Sequence, residues 1–214
     1  MRNHGEACEQ SSLRARKAAT VAGITGGIAS GKTVATDALI ASGFCVIDAD
    51  EISRAITAPH SPAERALTTR FPDACADGRL DRRRLREIIS TDAAARARLN
   101  AVTHPLILSE IARQISKANG DVVLSAPLLF ETGLDKLCDA TVCVTCPYEL
   151  RLKRLAARDG VTEKAAAAMI AAQMPDAERN AKANFTISSD RPRREFERAA
   201  VELFTALFDK LRNE

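Results

Sequence analysis

Eight residues, Gly26-Gly27-Ile28-Ala29-Ser30-Gly31-Lys32-Thr33, constrain this chain more than any other stretch. They satisfy the spacing G-x-x-x-x-G-K-[ST]. A short apolar run, Thr20 to Ile24, precedes them, and from Lys32 to Ile40 the residues Val34, Ala35, Ala38 and Leu39 recur at helical spacing. Strand, glycine turn and helix in that order predict a loop whose successive N–H groups face inward. The helix N-terminus adds about half a positive charge to the hollow. Such a hollow holds phosphates, with Gly26 to Thr33 as its wall, Lys32 reaching the β- and γ-phosphate oxygens and the Thr33 hydroxyl ligating Mg²⁺.

The remaining apolar runs define the sheet that carries the loop. Phe44 to Ile47 ends at Asp48, Val122 to Leu124 ends at Ser125-Ala126-Pro127, Thr141 to Thr145 ends at Cys146-Pro147, and Phe185 to Ile187 is a weaker fifth. Runs apolar on both faces and separated by helical stretches predict a covered parallel sheet. Residues 49–120 show no convincing strand; helical patterns at Arg83 to Ile89 and Leu106 to Ile115 make them a helical insert between the second and third strands. Helices also fit Tyr148 to Arg158, ended by Gly160, and Arg194 to Leu211.

Composition narrows the classes. A chain of 214 residues, 46% hydrophobic and 28% charged, can bury one core with an inserted lobe. Its longest uncharged stretch, Ala18 to Gly31, is 14 residues, short of the roughly 20 a membrane helix needs. A net charge of +3 is too small for bulk nucleic-acid binding. Six cysteines without a secretory signal point to a reducing, cytoplasmic setting, and Cys143 and Cys146 read as core thiols rather than a metal pair. Residues 1–18 read as an N-terminal extension outside a domain of 19–214.

Which phosphate chemistry follows depends on the other strand ends, because ligands of open parallel sheets bind outside the carboxyl ends of the strands. No Asn-Lys-x-Asp guanine-reading motif occurs, which disfavours a GTPase switch. At the second strand end stands Asp48-Ala49-Asp50-Glu51-Ile52-Ser53-Arg54. With a helix starting at Glu51, Asp50 is either its N-cap or a base that takes a hydroxyl proton, and Arg54 lies one turn later. His104, among Leu99, Val102, Leu106 and Ile107, suits a core histidine as well as a pocket wall. Glu131, just after the third strand, is either a loop carboxylate or a residue of the site edge. Arg151, Arg154 and Arg158 stand at i, i+3 and i+7, one stripe of guanidinium groups behind Pro147, with Arg158 the best suited to a surface pair with Asp159.

Taken together, the sequence resembles the dephospho-CoA kinase family from about Thr20 to the last helix. The resemblance rests on Thr25 to Thr33, Val46-Ile47-Asp48-Ala49-Asp50 with Arg54, His104-Pro105-Leu106-Ile107, Pro127-Leu128-Leu129-Phe130-Glu131, and Leu152-Lys153-Arg154-Leu155 with Arg158-Asp159 and Gln173. It implies transfer of a phosphoryl group from ATP to the ribose 3′-hydroxyl of dephospho-CoA. Asp50 is then the base, Arg54, His104 and Glu131 acceptor-site residues, and Arg151 and Arg154 lid contacts to ATP, with Arg154 foremost. Two positions depart from the family pattern. Ser125 stands where an aspartate is common, and Ser189 where an asparagine near the adenine is common.

The expectation is therefore an α/β P-loop kinase: a five-stranded parallel sheet flanked by helices, a helical acceptor-binding insert at 49–120 and a lid at 147–180. It is expected to act as a monomer on ATP and dephospho-CoA with Mg²⁺, without nucleic acid or membrane. Another small-metabolite or nucleoside-monophosphate kinase, and a nucleic-acid-stimulated ATPase, are the competing readings.

Overall fold

The computed structural model describes residues 19–61 and 63–213, so the extension expected at 1–18 lies outside the described residues. The elements run β1 (Val21–Gly26), α1 (Lys32–Ala41), β2 (Cys45–Asp48), α2 (Ala49–Ile56), α3 (Glu64–Arg70), β3 (Cys75–Ala76), β4 (Arg79–Leu80), α4 (Arg82–Thr91) and α5 (Ala93–Lys117). They continue as β5 (Val122–Ser125), β6 (Ala140–Thr145), α6 (Tyr148–Asp159), α7 (Glu163–Ala171), α8 (Asp176–Lys182), β7 (Phe185–Ser188) and α9 (Arg193–Asn213).

Five strands form one sheet in the order β2-β5-β1-β6-β7, every pair parallel. β1 is buried along its whole length, which explains its lack of polar alternation. From β1 the chain first builds towards β2 and β5 and later towards β6 and β7 on the other side. The carboxyl end of β1 is thus the point where strand order reverses and a crevice opens. The phosphate loop starts there.

Both faces of the sheet are covered. Ala22, Ile24, Val142 and Val144 pack with Ala35 and Leu39 of α1 and with Phe196, Ala200, Phe204 and Phe208 of α9. On the other face Val122 and Leu124 pack with Ile52 of α2, Ile111 of α5 and Leu129 and Leu134 beyond β5. The insert has a small core of its own, Leu67, Phe71, Ala74, Leu85, Ala95 and Val102.

Two expectations for the insert need correction. It is not wholly helical: β3 and β4 form an antiparallel hairpin whose turn residues Asp77 and Gly78 both have positive φ, 50° and 74°. Asp-Gly between two short segments is the residue pair that such tight hairpins require. The second helix also begins at Ala93 rather than near Leu106. Asp92 caps it by accepting from the Ala94 and Ala95 N–H groups, and Pro105 sits inside it. Pro105 has no N–H to offer the carbonyl one turn back, yet the helix continues through that lost bond. Among the described residues no helix is long and apolar enough to cross a membrane.

Candidate active site

The loop between β1 and α1 closes in the expected way. Ser30 N–H donates to the Gly27 carbonyl at 3.0 Å, and Gly31, at φ 100°, precedes the first turn of α1. A Cβ at Gly31 would strain that φ and crowd the Ser189 side chain at 3.1 Å, so glycine is required by conformation and space together. Midway between Gly27 and Gly31, Ala29 also takes a positive φ of 59°.

The loop opens onto a cleft of about 960 Å³ whose wall includes Gly26 to Thr33, Asp48, Asp50, Arg54, Pro127, Arg154, Arg158, Gln173, Ser189, Arg191 and Arg193. Lys32 Nζ donates to Ser125 Oγ at 2.7 Å and stands 4.0 Å from Asp48 Oδ2, while Ser125 Oγ donates to the same Asp48 oxygen at 3.1 Å. Asp48 and Ser125 are register partners on β2 and β5, which explains the meeting. At the position where the family commonly has aspartate, this chain therefore has a hydroxyl that passes the lysine on to a carboxylate of the adjacent strand. Burial depresses the Lys32 pKa, an effect that Asp48 and then Asp50 oppose.

Asp48, not Asp50, is the cap of α2. The helix starts at Ala49 rather than Glu51, and Asp48 Oδ1 accepts from the Asp50 and Glu51 N–H groups at 2.9 and 3.1 Å. This frees the Asp50 side chain for the cleft. Partial withdrawal from solvent and then the Asp48 charge push the Asp50 pKa above the ordinary carboxylate value, with Lys32 and Arg54 pulling the other way. A carboxylate so tuned is a stronger proton acceptor.

A second cavity, about 220 Å³, shares Asp50 and Pro127 with the cleft and runs between α2 and α5, past Ser53, Leu99, Asn100, Thr103, His104 and Leu128. His104 is half-buried in this wall, so the pocket alternative fits its position better than the core one. Arg54 is exposed at the edge of the larger cleft. Glu131, expected at the site edge, instead lies on an exposed turn after Leu129 and Phe130 and lines neither cavity. It falls there because Leu129 is drawn into the core and the turn then carries the next residues outward.

The arginine stripe divides. Arg154 lines the cleft, its Nη1 donating to Ser189 Oγ at 3.0 Å and to Cys146 Sγ at 3.3 Å. Arg158 reaches the cleft rim while paired with Asp159 at 2.7 Å. Arg151, expected to present its guanidinium to ATP, is 2% exposed and lies beneath the loop, donating to the Ile28 carbonyl at 2.9 Å and pairing with Asp176. The i, i+3, i+7 spacing is a full face only when the helix stands free. Here Arg151 is turned against Gly27, where the absence of a side chain leaves room for it.

Asp48, Ser125 and Ser189 stand in the sequence only as part of a motif and as departures from the family pattern, with no role of their own, and the structure makes all three parts of the site. Ser189, 3% exposed, donates to the Ser30 carbonyl at 2.6 Å and accepts from Arg154, linking the loop to the end of β7. Their shared signal was placement directly at strand ends, which a search for catalytic residue types passes over when the residue is serine. For a metal, the Thr33 hydroxyl and the carboxylates of Asp48 and Asp50 are hard oxygen donors on one wall, the set suited to Mg²⁺ held mainly by phosphates and water. Among the described residues no cluster of three metal-binding side chains occurs.

Comparison with known proteins agrees with this geometry. The family model described as dephospho-CoA kinase matches residues 20–194. A dephospho-CoA kinase of Pseudoalteromonas translucida is 38% identical over 174 residues, covering 80% of this chain and 83% of its own. Among solved structures, TT1252 from Thermus thermophilus is similar with a TM-score of 0.78 and 33% identity, over 89% of this chain and 99% of its own. The dephospho-CoA kinase from Campylobacter jejuni has a TM-score of 0.69 and 27% identity, over 89% and 98%. A phosphate loop, a carboxylate facing it across one cleft and a sequence match that runs through both have a single account: this chain belongs to the dephospho-CoA kinase family.

Proposed function

We propose that the chain transfers the γ-phosphoryl group of ATP to the ribose 3′-hydroxyl of dephospho-CoA, giving coenzyme A and ADP. The observation that carries this reading is that Asp50 forms a shared wall between the cleft of the phosphate loop and the smaller cavity at α5. ATP phosphates lie on Gly26 to Thr33, and the acceptor nucleoside enters past His104, so its hydroxyl meets the loop beside Asp50. The Asp50 carboxylate takes the hydroxyl proton as the new O–P bond forms, and the bond from the γ-phosphorus to the bridging oxygen breaks to release ADP. Lys32 and Arg154 offset charge on the phosphoryl oxygens during transfer, and Arg54 steadies the acceptor. Mg²⁺, held by the Thr33 hydroxyl beside the phosphates, supplies further charge neutralisation when bound.

Arg151 acts on ATP only through the loop, and Glu131 has no part in the acceptor site. The insert at 49–120 supplies the acceptor pocket and the 147–180 region the arginine wall. A reducing, cytoplasmic compartment fits the unpaired state of Cys45, Cys75, Cys138, Cys143 and Cys146, and each chain holds both halves of the site, as a working monomer needs. The test is incubation with ATP, Mg²⁺ and dephospho-CoA, followed by mass identification of the product, beside a panel of nucleosides and nucleoside monophosphates. Coenzyme A is the expected product. Phosphorylation of a panel member in preference to dephospho-CoA would overturn the acceptor assignment.

A further inference from the structure

The backbone N–H and carbonyl of Ile28, in the phosphate loop, are both held by side chains of the 147–180 region. The N–H donates to Gln173 Oε1 at 2.7 Å, and the carbonyl accepts from Arg151 Nε at 2.9 Å. Gln173 lies in the connection between α7 and α8. Arg151 is aimed from the same place, because Asp176, the first residue of α8, pairs with its Nη1. Asp176 also accepts from Arg179 Nη1 at 2.7 Å, and Arg179 Nη2 donates to the Met174 carbonyl at 2.7 Å. Arg151 and Arg179 are 2% and 1% exposed, and Arg179 Nε has no hydrogen-bond partner.

Two buried guanidinium groups thus share one half-exposed carboxylate. A buried cation in excess is costly for folding alone. It is well placed under a hollow that receives the most highly charged part of a nucleotide, and Arg151 lies so close that a Cβ at Gly27 would come within 2.5 Å of its Nη2. We propose that Gln173 and Asp176 are positioning residues that set the phosphate loop for nucleotide, Gln173 directly through the Ile28 N–H and Asp176 through Arg151. They tie this end of the 147–180 region to the loop, so that segment travels with the loop rather than swinging clear of it.

The proposal rests on the loop holding ATP, and its test reads nucleotide binding without acceptor, which keeps it separate from the choice of acceptor. ADP affinity is measured by titration calorimetry for the wild type, Gln173→Met, Asp176→Asn and Asp176→Glu, with thermal unfolding recorded for each. KM values for ATP and dephospho-CoA are taken in parallel. Gln173→Met removes the acceptor without changing charge and should weaken ADP about tenfold, equivalent to ~1.4 kcal/mol, while KM for dephospho-CoA stays within about twofold. Asp176→Asn adds net positive charge, which alone would tighten phosphate binding. Weaker ADP binding there, restored by Asp176→Glu, reports lost positioning. Unchanged ADP affinity in Gln173→Met, tighter binding in Asp176→Asn, or equal losses for both substrates would each overturn the proposal. If Asp176→Asn does not fold, Gln173→Met alone decides, since its side chain borders the open cleft.

Discussion

The donor and acceptor halves of the site are built differently. Around the phosphate loop nearly every anchor is buried: Thr25, Ser30, Ser125, Arg151, Arg179 and Ser189 are all below a tenth exposed, and the loop rests on the central strand of the sheet. On the acceptor side Arg54 and Asp50 are exposed, and the insert stands on its own small core. The donor half is therefore rigid before any ligand arrives, suiting a phosphate geometry that does not vary. The acceptor half rests on a smaller core, which suits closure around a larger molecule.

Several measurements can break or sharpen that contrast. The largest effect is expected from Lys32→Ala, which removes the donor-side charge without opening a core cavity: kcat/KM should fall about 10³-fold, with the thermal transition close to wild type. Asp50→Asn should lower kcat at least about 10²-fold with nucleotide affinity retained, because it removes the proposed proton acceptor and leaves the phosphate loop and Lys32 in place. A variant with near-normal kcat would leave Asp50 only a positioning role.

The pH profile refines this further. As the proposed base, Asp50 must be ionised, and its pKa is raised, first by withdrawal from solvent and then by Asp48. The acid limb of kcat/KM should therefore be displaced upward from the ordinary aspartate value, and Asp48→Asn should move it towards lower pH. In stability the sign is opposite. A folded-state pKa above the unfolded value favours folding below the ordinary carboxylate pKa, and this contribution is lost as pH rises through the raised value.

Packing gives a readout in stability rather than in rate. Phe204→Ala, in the core behind the loop, should cost about 3–5 kcal/mol in denaturant unfolding, and Leu67→Ala in the insert about 2–3 kcal/mol. Hydrogen exchange should likewise be faster at α3 and the β3–β4 hairpin than at β1. The smallest effect concerns thiols. Burial pushes the Cys143 thiol up to about 11, whereas Cys45 is exposed on the edge strand β2, so alkylation should mark Cys45 well before Cys143. Equal rates would mean that the central sheet opens as readily as its edge.

The same contrast governs what could be read from the amino acids alone. The donor half was legible because its parts are local: strand, glycine turn, Lys32 and helix occupy one continuous stretch. The five strands were also legible, since two-sided burial leaves unbroken apolar runs. What escaped depended on contacts across the chain. Only the pairing of Asp48 with Ser125 shows that a hydroxyl on β5 works together with a carboxylate on β2. Only the packing of α6 against Gly27 shows that Arg151 is a support and Arg154 a wall of the cleft. In the insert, Asp77-Gly78 offered a readable hairpin signal that the surrounding helical pattern outweighed.

The pairing of β1 has a consequence for how the chain acquires activity. Val21 lies beside Val122, and Ala22 beside Ala140, so the strand carrying the phosphate loop gains its first neighbour only when the ribosome has delivered β5 and its second only with β6. Such long closures make folding slow. A nascent or truncated product ending before β6 would carry the full glycine loop and still lack one of the two strands that fix it, so nucleotide binding should appear abruptly with chain length rather than grow with it.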